Sequence, residues 1–151
     1  MPMGGQIMDG AELMRRVTAA FEKSNLEPLL DALHDDIVWK TASNQEGVFR
    51  FGGEYKGRPG VLDVLSKIAM DYTFRRLTPK EIFAQDEVVW GLFDAALAID
   101  PKGAWVPANT VNLEMVLHWR LKDGKIIEHQ AFFDTAALLM QQGRLRAAAQ
   151  P

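Results

Sequence analysis

The dipeptide Asp123-Gly124, set between two runs that alternate apolar and polar residues, constrains this chain more than any other feature. A two-residue type I′ turn needs positive φ at both central positions, and Asp-Gly tolerates it. Residues 112–143 therefore read as a long β-hairpin that runs straight into a helix. The turn sets a register: with Lys122 opposite Lys125, Leu121 faces Ile126, Trp119 faces Glu128, Leu117 faces Gln130, Met115 faces Phe132 and Leu113 faces Asp134. Directly opposed residues share a face of the sheet. One face then carries Leu113, Met115, Leu117 and Trp119 with Glu128, Gln130, Phe132 and Asp134. The other carries Glu114, Val116, His118, Arg120, Ile127, His129, Ala131 and Phe133. An apolar face with an amide and a carboxylate at one end suits a lined pocket better than a plain core. Asp134 stands where the strand gives way to the helix.

The rest of the chain supplies what packs on that hairpin. Asp9 and Glu12 fit a capping box, and Leu13, Val17 and Phe21 form the apolar stripe of a first helix ending near Ser24. Asn25 caps a short second helix with Pro28 in its first turn, and Ile37, Val38 and Trp39 follow as a strand. Residues 41–53 read as a loop or weak strand that covers an opening. Arg58-Pro59 begins a third helix whose buried face is Val61, Leu62, Leu65, Ile68 and Ala69. Strands are predicted over 75–84, 88–99 and 110–121, separated by turns at 85–87 and 100–103. Gly91, inside the second of these, suggests a bulge or bend. The fold class is α+β, with three N-terminal helices packed on a strongly curved antiparallel sheet and a helix at the C-terminus. A single domain over 9–143, with tails at 1–8 and 144–151, suits a chain of 151 residues.

Composition narrows the chemistry. No cysteine is present, so thiol nucleophiles, thiolate metal sites and disulfides are excluded. A net charge of −3 offers no footprint for nucleic acid, and no stretch approaches the ~20 apolar residues of a membrane span. The start lacks a basic region followed by an apolar run. The expectation is a soluble, cytoplasmic protein that binds neither nucleic acid nor membrane.

The order of these elements, together with Asp36-Ile37-Val38-Trp39, Gly53-Glu54-Tyr55-Lys56-Gly57 opening a helix, Asp123-Gly124-Lys125-Ile126 and Phe133-Asp134, resembles the SnoaL-like branch of the NTF2-like superfamily. That superfamily includes ketosteroid isomerases, limonene epoxide hydrolases and polyketide cyclases. The resemblance implies a cone with a deep pocket between sheet and helices, a homodimer, and no metal or cofactor. It also implies that Asp134, the aspartate closing the last strand, is a general acid/base of the cyclase or isomerase type. Epoxide hydrolases of this superfamily use two aspartates bridged by an arginine two residues from one of them. Asp94 is the available second aspartate, but Leu92 and Ala96 stand at those positions.

Each candidate has a structural alternative. Asp134 before Thr135 is also a good helix N-cap. Asp94, beside Trp90 and Leu92, lies either in a pocket or at a wet bend. Gln130 either positions a substrate carbonyl or is a satisfied core amide. Trp39, Trp90, Met115, Leu117, Trp119 and Phe132 pack or, as a set, line a site for a small hydrophobic molecule. Tyr55 is a donor at the rim or a surface residue. His118 and His129 share the face away from Asp134 and, with Glu114, do not complete a metal site. That face, with Val116, Ile127, Ala131 and Phe133, is expected to pair two subunits. The functional expectation is a cofactor-free enzyme acting on a small carbonyl-bearing or cyclic hydrophobic substrate. The alternatives are a non-catalytic binding or dimerisation module and an epoxide hydrolase-like hydrolase.

Overall fold

The computed structural model describes residues 9–45, 47–99, 109–146 and 148. In chain order the elements are α1 (Gly10–Glu22), α2 (Glu27–Ala32), β1 (Leu33–Lys40), β2 (Glu54–Lys56), α3 (Gly57–Asp71), β3 (Tyr72–Gln85), β4 (Val88–Ile99), β5 (Asn109–Lys122), β6 (Lys125–Phe133) and α4 (Thr135–Gln141). The predicted turn at 100–103 lies outside the described residues. The strands form one curved sheet in the order β2-β1-β6-β5-β4-β3. It is antiparallel except that β1 runs parallel to β6, which makes it mixed rather than purely antiparallel.

Local chemistry accounts for the helix boundaries. The Asp9 carboxylate accepts from the backbone N–H of Glu12 at 3.1 Å and caps α1, whose buried residues are Met14, Val17 and Thr18. Pro28 sits in the first turn of α2, and the Asn25 side chain accepts from the Glu27 N–H at 3.2 Å. The sequence reading of α3 needs one correction. Val61, Val64 and Leu65 are buried, whereas Leu62 is 51% exposed and Ala69 faces out. Val64, one turn from Val61, replaces Leu62 on the inner stripe.

The sheet bends where β3 shifts register against β4, between Phe74 and Arg76 and again between Pro79 and Glu81. Gly91 is not that bend. β4 pairs through it without interruption, with Ile82 on one side and Leu117 on the other. A Cβ built at Gly91 would lie 2.6 Å from Met14 Sδ and 2.6 Å from a Phe93 ring carbon. The glycine is needed so that α1 can press Met14, which is fully buried, onto the concave face. Gly91→Val should therefore cost about 1–3 kcal/mol by overpacking, or roughly 3–10 °C in Tm. In the double variant with Met14→Ala the cost should be less than the sum of the two singles. Additive melts would show that the two positions do not compete for space.

Candidate functional site

Between the concave face of the sheet and the helices lies a cavity of about 110 Å³. Leu113, Met115, Leu117 and Trp119 of β5 form its floor, Trp39 of β1 and His129, Ala131 and Phe133 of β6 one wall, and residues of α1 and α3 the roof. Thr41, Ala42 and Phe51 close one end. Among the described residues that line it there is no Asp, Glu, Lys or Arg. Its hydroxyls are committed elsewhere: Thr18 donates to Met14 O at 2.7 Å, Thr41 to Ser43 O at 2.7 Å, and Tyr72 to Gln142 Oε1 at 2.9 Å. Burial, the largest influence, pushes the Tyr72 phenol up to about 12, so it stays protonated.

His129 is the exception in this wall. It is paired across the sheet with Trp119 on one side and Trp39 on the other. Trp39 stacks on the imidazole with ring centroids 3.5 Å apart and planes 18° from parallel. The Trp119 Nε1–H donates to His129 Nδ1 at 2.9 Å. An indole N–H can only donate, so Nδ1 must be the bare nitrogen and the neutral ring carries its proton on Nε2. That Nε2–H donates to nothing among the described residues. The result is an oriented hydrogen-bond donor, locked between two indoles, in a wall that is otherwise mostly apolar.

Trp39, Met115, Leu117 and Trp119 lie where the sequence placed them, on the cavity. Others do not, and most of the differences have one cause. Leu121 pairs with Ile126 but Arg120 pairs with Glu128, so Ile127 is an extra residue, a β-bulge just past the turn. A one-residue slip sends every later side chain of β6 to the opposite face. Gln130 and Phe132, expected in the pocket, therefore point to the outer face opposite His118 and Val116. His129, Ala131 and Phe133, expected outside, line the cavity, and the two histidines lie on opposite faces. Asp134 follows the same parity. It is exposed, is absent from the cavity wall, and caps α4 by accepting from the Ala137 N–H at 2.9 Å. Asp94 and Trp90 are outside too: Asp94 pairs with Glu114 and is bridged to Arg76 at 3.4 Å, and the Trp90 ring meets that of His118. Tyr55 is half-buried, donates to Phe51 O at 2.9 Å, and does not line the cavity. The missed residue, His129, had left a signal. The unbulged register sets Glu128 against Trp119 in the core, a conflict that one extra residue removes.

Burial first, and then repulsion from His118, holds His129 far below the usual imidazole range, at about 3. In the unfolded chain a histidine titrates near ~6.5. Between these values the unfolded state binds a proton that the folded state refuses, so stability is full above that range and falls as pH drops. From pH 7 to pH 5 the loss due to His129 should be about 2 kcal/mol. Urea unfolding at the two pH values should show His129→Phe losing less than the parent by that amount. Identical pH dependence would mean that the buried ring accepts a proton in the folded state.

The fold recurs among solved structures. An NTF2-like protein of unknown function from Burkholderia pseudomallei K96243 superposes with a TM-score of 0.74 at 22% identity, over 90% of this chain and 99% of that one. TerC, co-crystallised with polyporic acid, gives 0.72 at 24% identity over 86% and 95%. A candidate polyketide cyclase from Pseudomonas putida KT2440 gives 0.73 at 17% identity over 90% and 99%. No curated protein sequence matches the chain significantly. The family match is to the SnoaL-like domain and spans residues 14–129, from the first buried turn of α1 to His129 itself, so this chain belongs to the SnoaL-like domain family.

Proposed function

We propose that the chain binds a small hydrophobic molecule bearing a carbonyl, whose oxygen accepts a hydrogen bond from His129 Nε2–H. The observation that carries this reading is the unpaired, pre-oriented N–H in an apolar wall. A ligand oxygen that meets this donor gains a hydrogen bond worth about 0.5–1.5 kcal/mol. TerC, a neighbour at low identity, was co-crystallised with polyporic acid, which is consistent with a cone that takes up an organic guest. A cyclase or isomerase reading has the polyketide cyclase neighbour in its favour, and a neutral imidazole N–H can polarise a carbonyl. Removing a proton from carbon also needs a base within reach, and no carboxylate lines this wall among the described residues. Capture is therefore the first reading and turnover the second. Titration of the Trp39 and Trp119 fluorescence with cyclohexanone and with methylcyclohexane tests it. The ketone should bind more tightly than the hydrocarbon, and His129→Phe should remove roughly tenfold of the ketone's affinity while sparing the hydrocarbon. Asp134→Asn should change neither. Equal binding of the two probes by the parent would sink the reading.

The protein is further read as a homodimer through the outer face of the sheet. There Phe83, Trp90 and Phe132 are 62%, 37% and 43% exposed, with Leu92 and Val116 between them in adjacent rows. A patch of this kind, on a sheet face that no helix covers among the described residues, favours self-pairing about a two-fold axis. The bulge corrects the expected members: Ala131, Phe133 and His129 belong to the cavity, and of the two central histidines only His118 stands outside. Light scattering at micromolar concentration should give a dimer for the parent and a monomer for Phe132→Glu. A Phe132→Glu variant that stays dimeric would rule out this face.

A further inference from the structure

A second cavity, of about 210 Å³, lies against the first. It opens between the C-terminal ends of α1 and α3, where α1 leans on β3, β4 and α2 while α3 leans mainly on β1 and β2. Phe21, Leu65, Ile68, Tyr72 and Phe74 line both spaces and form the partition between them. Two of these are fixed: Leu65 is buried, and Tyr72 is buried and tied to Gln142. Phe21 and Phe74 are only half-buried, and their rings meet each other at 5.1 Å and 50°. No hydrogen bond anchors either ring, so rotation about their side-chain bonds is the cheapest way to join the two spaces.

Size makes the connection matter. Neither space alone reaches the roughly 300 Å³ where ligand pockets begin. Together they reach it. We infer that the two cavities are one binding site with the Phe21–Phe74 pair as its junction, and that its ligand is a two-part molecule. A single oxygen-bearing ring sits against His129, and an apolar chain on that ring passes the two phenylalanines into the outer chamber. This rests on the carbonyl-binding reading above and adds the tail.

The test compares cyclohexanone with 4-pentylcyclohexanone on the parent, His129→Phe and Ala69→Trp. Ala69 is exposed, belongs to the outer chamber and does not line the inner cavity, so an indole there fills the chamber at a helix position that tolerates it. The pentyl chain should tighten binding to the parent by roughly tenfold or more. In Ala69→Trp that gain should vanish while cyclohexanone binds as before. Phe21→Ala, which opens the junction from the other side, should keep the gain and speed the entry of both ketones. If cyclohexanone does not bind the parent, or binds His129→Phe equally well, the carbonyl reading fails and the two-part ligand with it. If cyclohexanone binding depends on His129 but the pentyl gain is less than about threefold, or survives Ala69→Trp, the two-chamber site alone is overturned.

Discussion

One extra residue decides what this protein offers to a ligand. Ile127 sits in β6 without a partner in β5, and everything C-terminal to it on that strand is turned over relative to a regular hairpin. The bulge takes Glu128 away from the core position opposite Trp119, where an unpaired carboxylate would cost several kcal/mol, and gives that position to His129. It also sets Ala131 and Phe133 against the cavity and lets Glu128 meet Arg120 and Lys40 on the wet side. The apolar wall, the histidine donor within it and the amphipathic outer face are thus three consequences of the same local insertion.

His129 depends in turn on its two indoles. Stacking on Trp39 fills the space above the ring, and the hydrogen bond from Trp119 fixes which nitrogen is bare. A ring so placed cannot serve as a proton shuttle near neutrality, because burial holds it uncharged. What it can do is present a fixed dipole without reorganising when a ligand arrives, the condition under which a buried donor discriminates best. The absence of charged groups among the described lining residues sharpens this, since no charge there competes for the ligand oxygen.

Much of the fold was legible because its signals are local. Asp123 and Gly124 adopt φ of 54° and 74°, as a type I′ turn demands, and Asp9 caps α1 as its sequence implies. The strand boundaries from 88 onward follow from alternation and turn residues. The bulge was not legible in the same way. Ile126-Ile127 carries no glycine and no break in β-propensity, so only the sorting of later residues reveals it. Asp134 shows the same limit from the other side: its cap is a local fact that sequence states directly, while its distance from the cavity is set by a strand parity fixed seven residues earlier. Asp94 does find an arginine, but Arg76 reaches it from the neighbouring strand on the outer face, a contact that spacing within one strand cannot express.

The segment that closes the cavity at Phe51 is fastened too firmly to admit a ligand. Phe49 and Phe51 stack at 4.9 Å, and Phe49 reaches Phe133 while Phe51 meets the edge of Tyr72. Between them Arg50 forks onto Asp71 at 2.8 and 3.2 Å, and Asp71 is fully buried. Lifting this segment would strand a carboxylate in a low-dielectric interior, a cost of about 3–5 kcal/mol before any aromatic contact is counted. Arg144 adds donors to the carbonyls of Val48 and Gly47 from beyond α4. At the junction Tyr72 is held by Gln142, but Phe21 and Phe74 are half-buried and their contacts are apolar and undirected. Where one end of a cavity is closed by an ion pair and the other by rotatable rings, passage belongs to the rings.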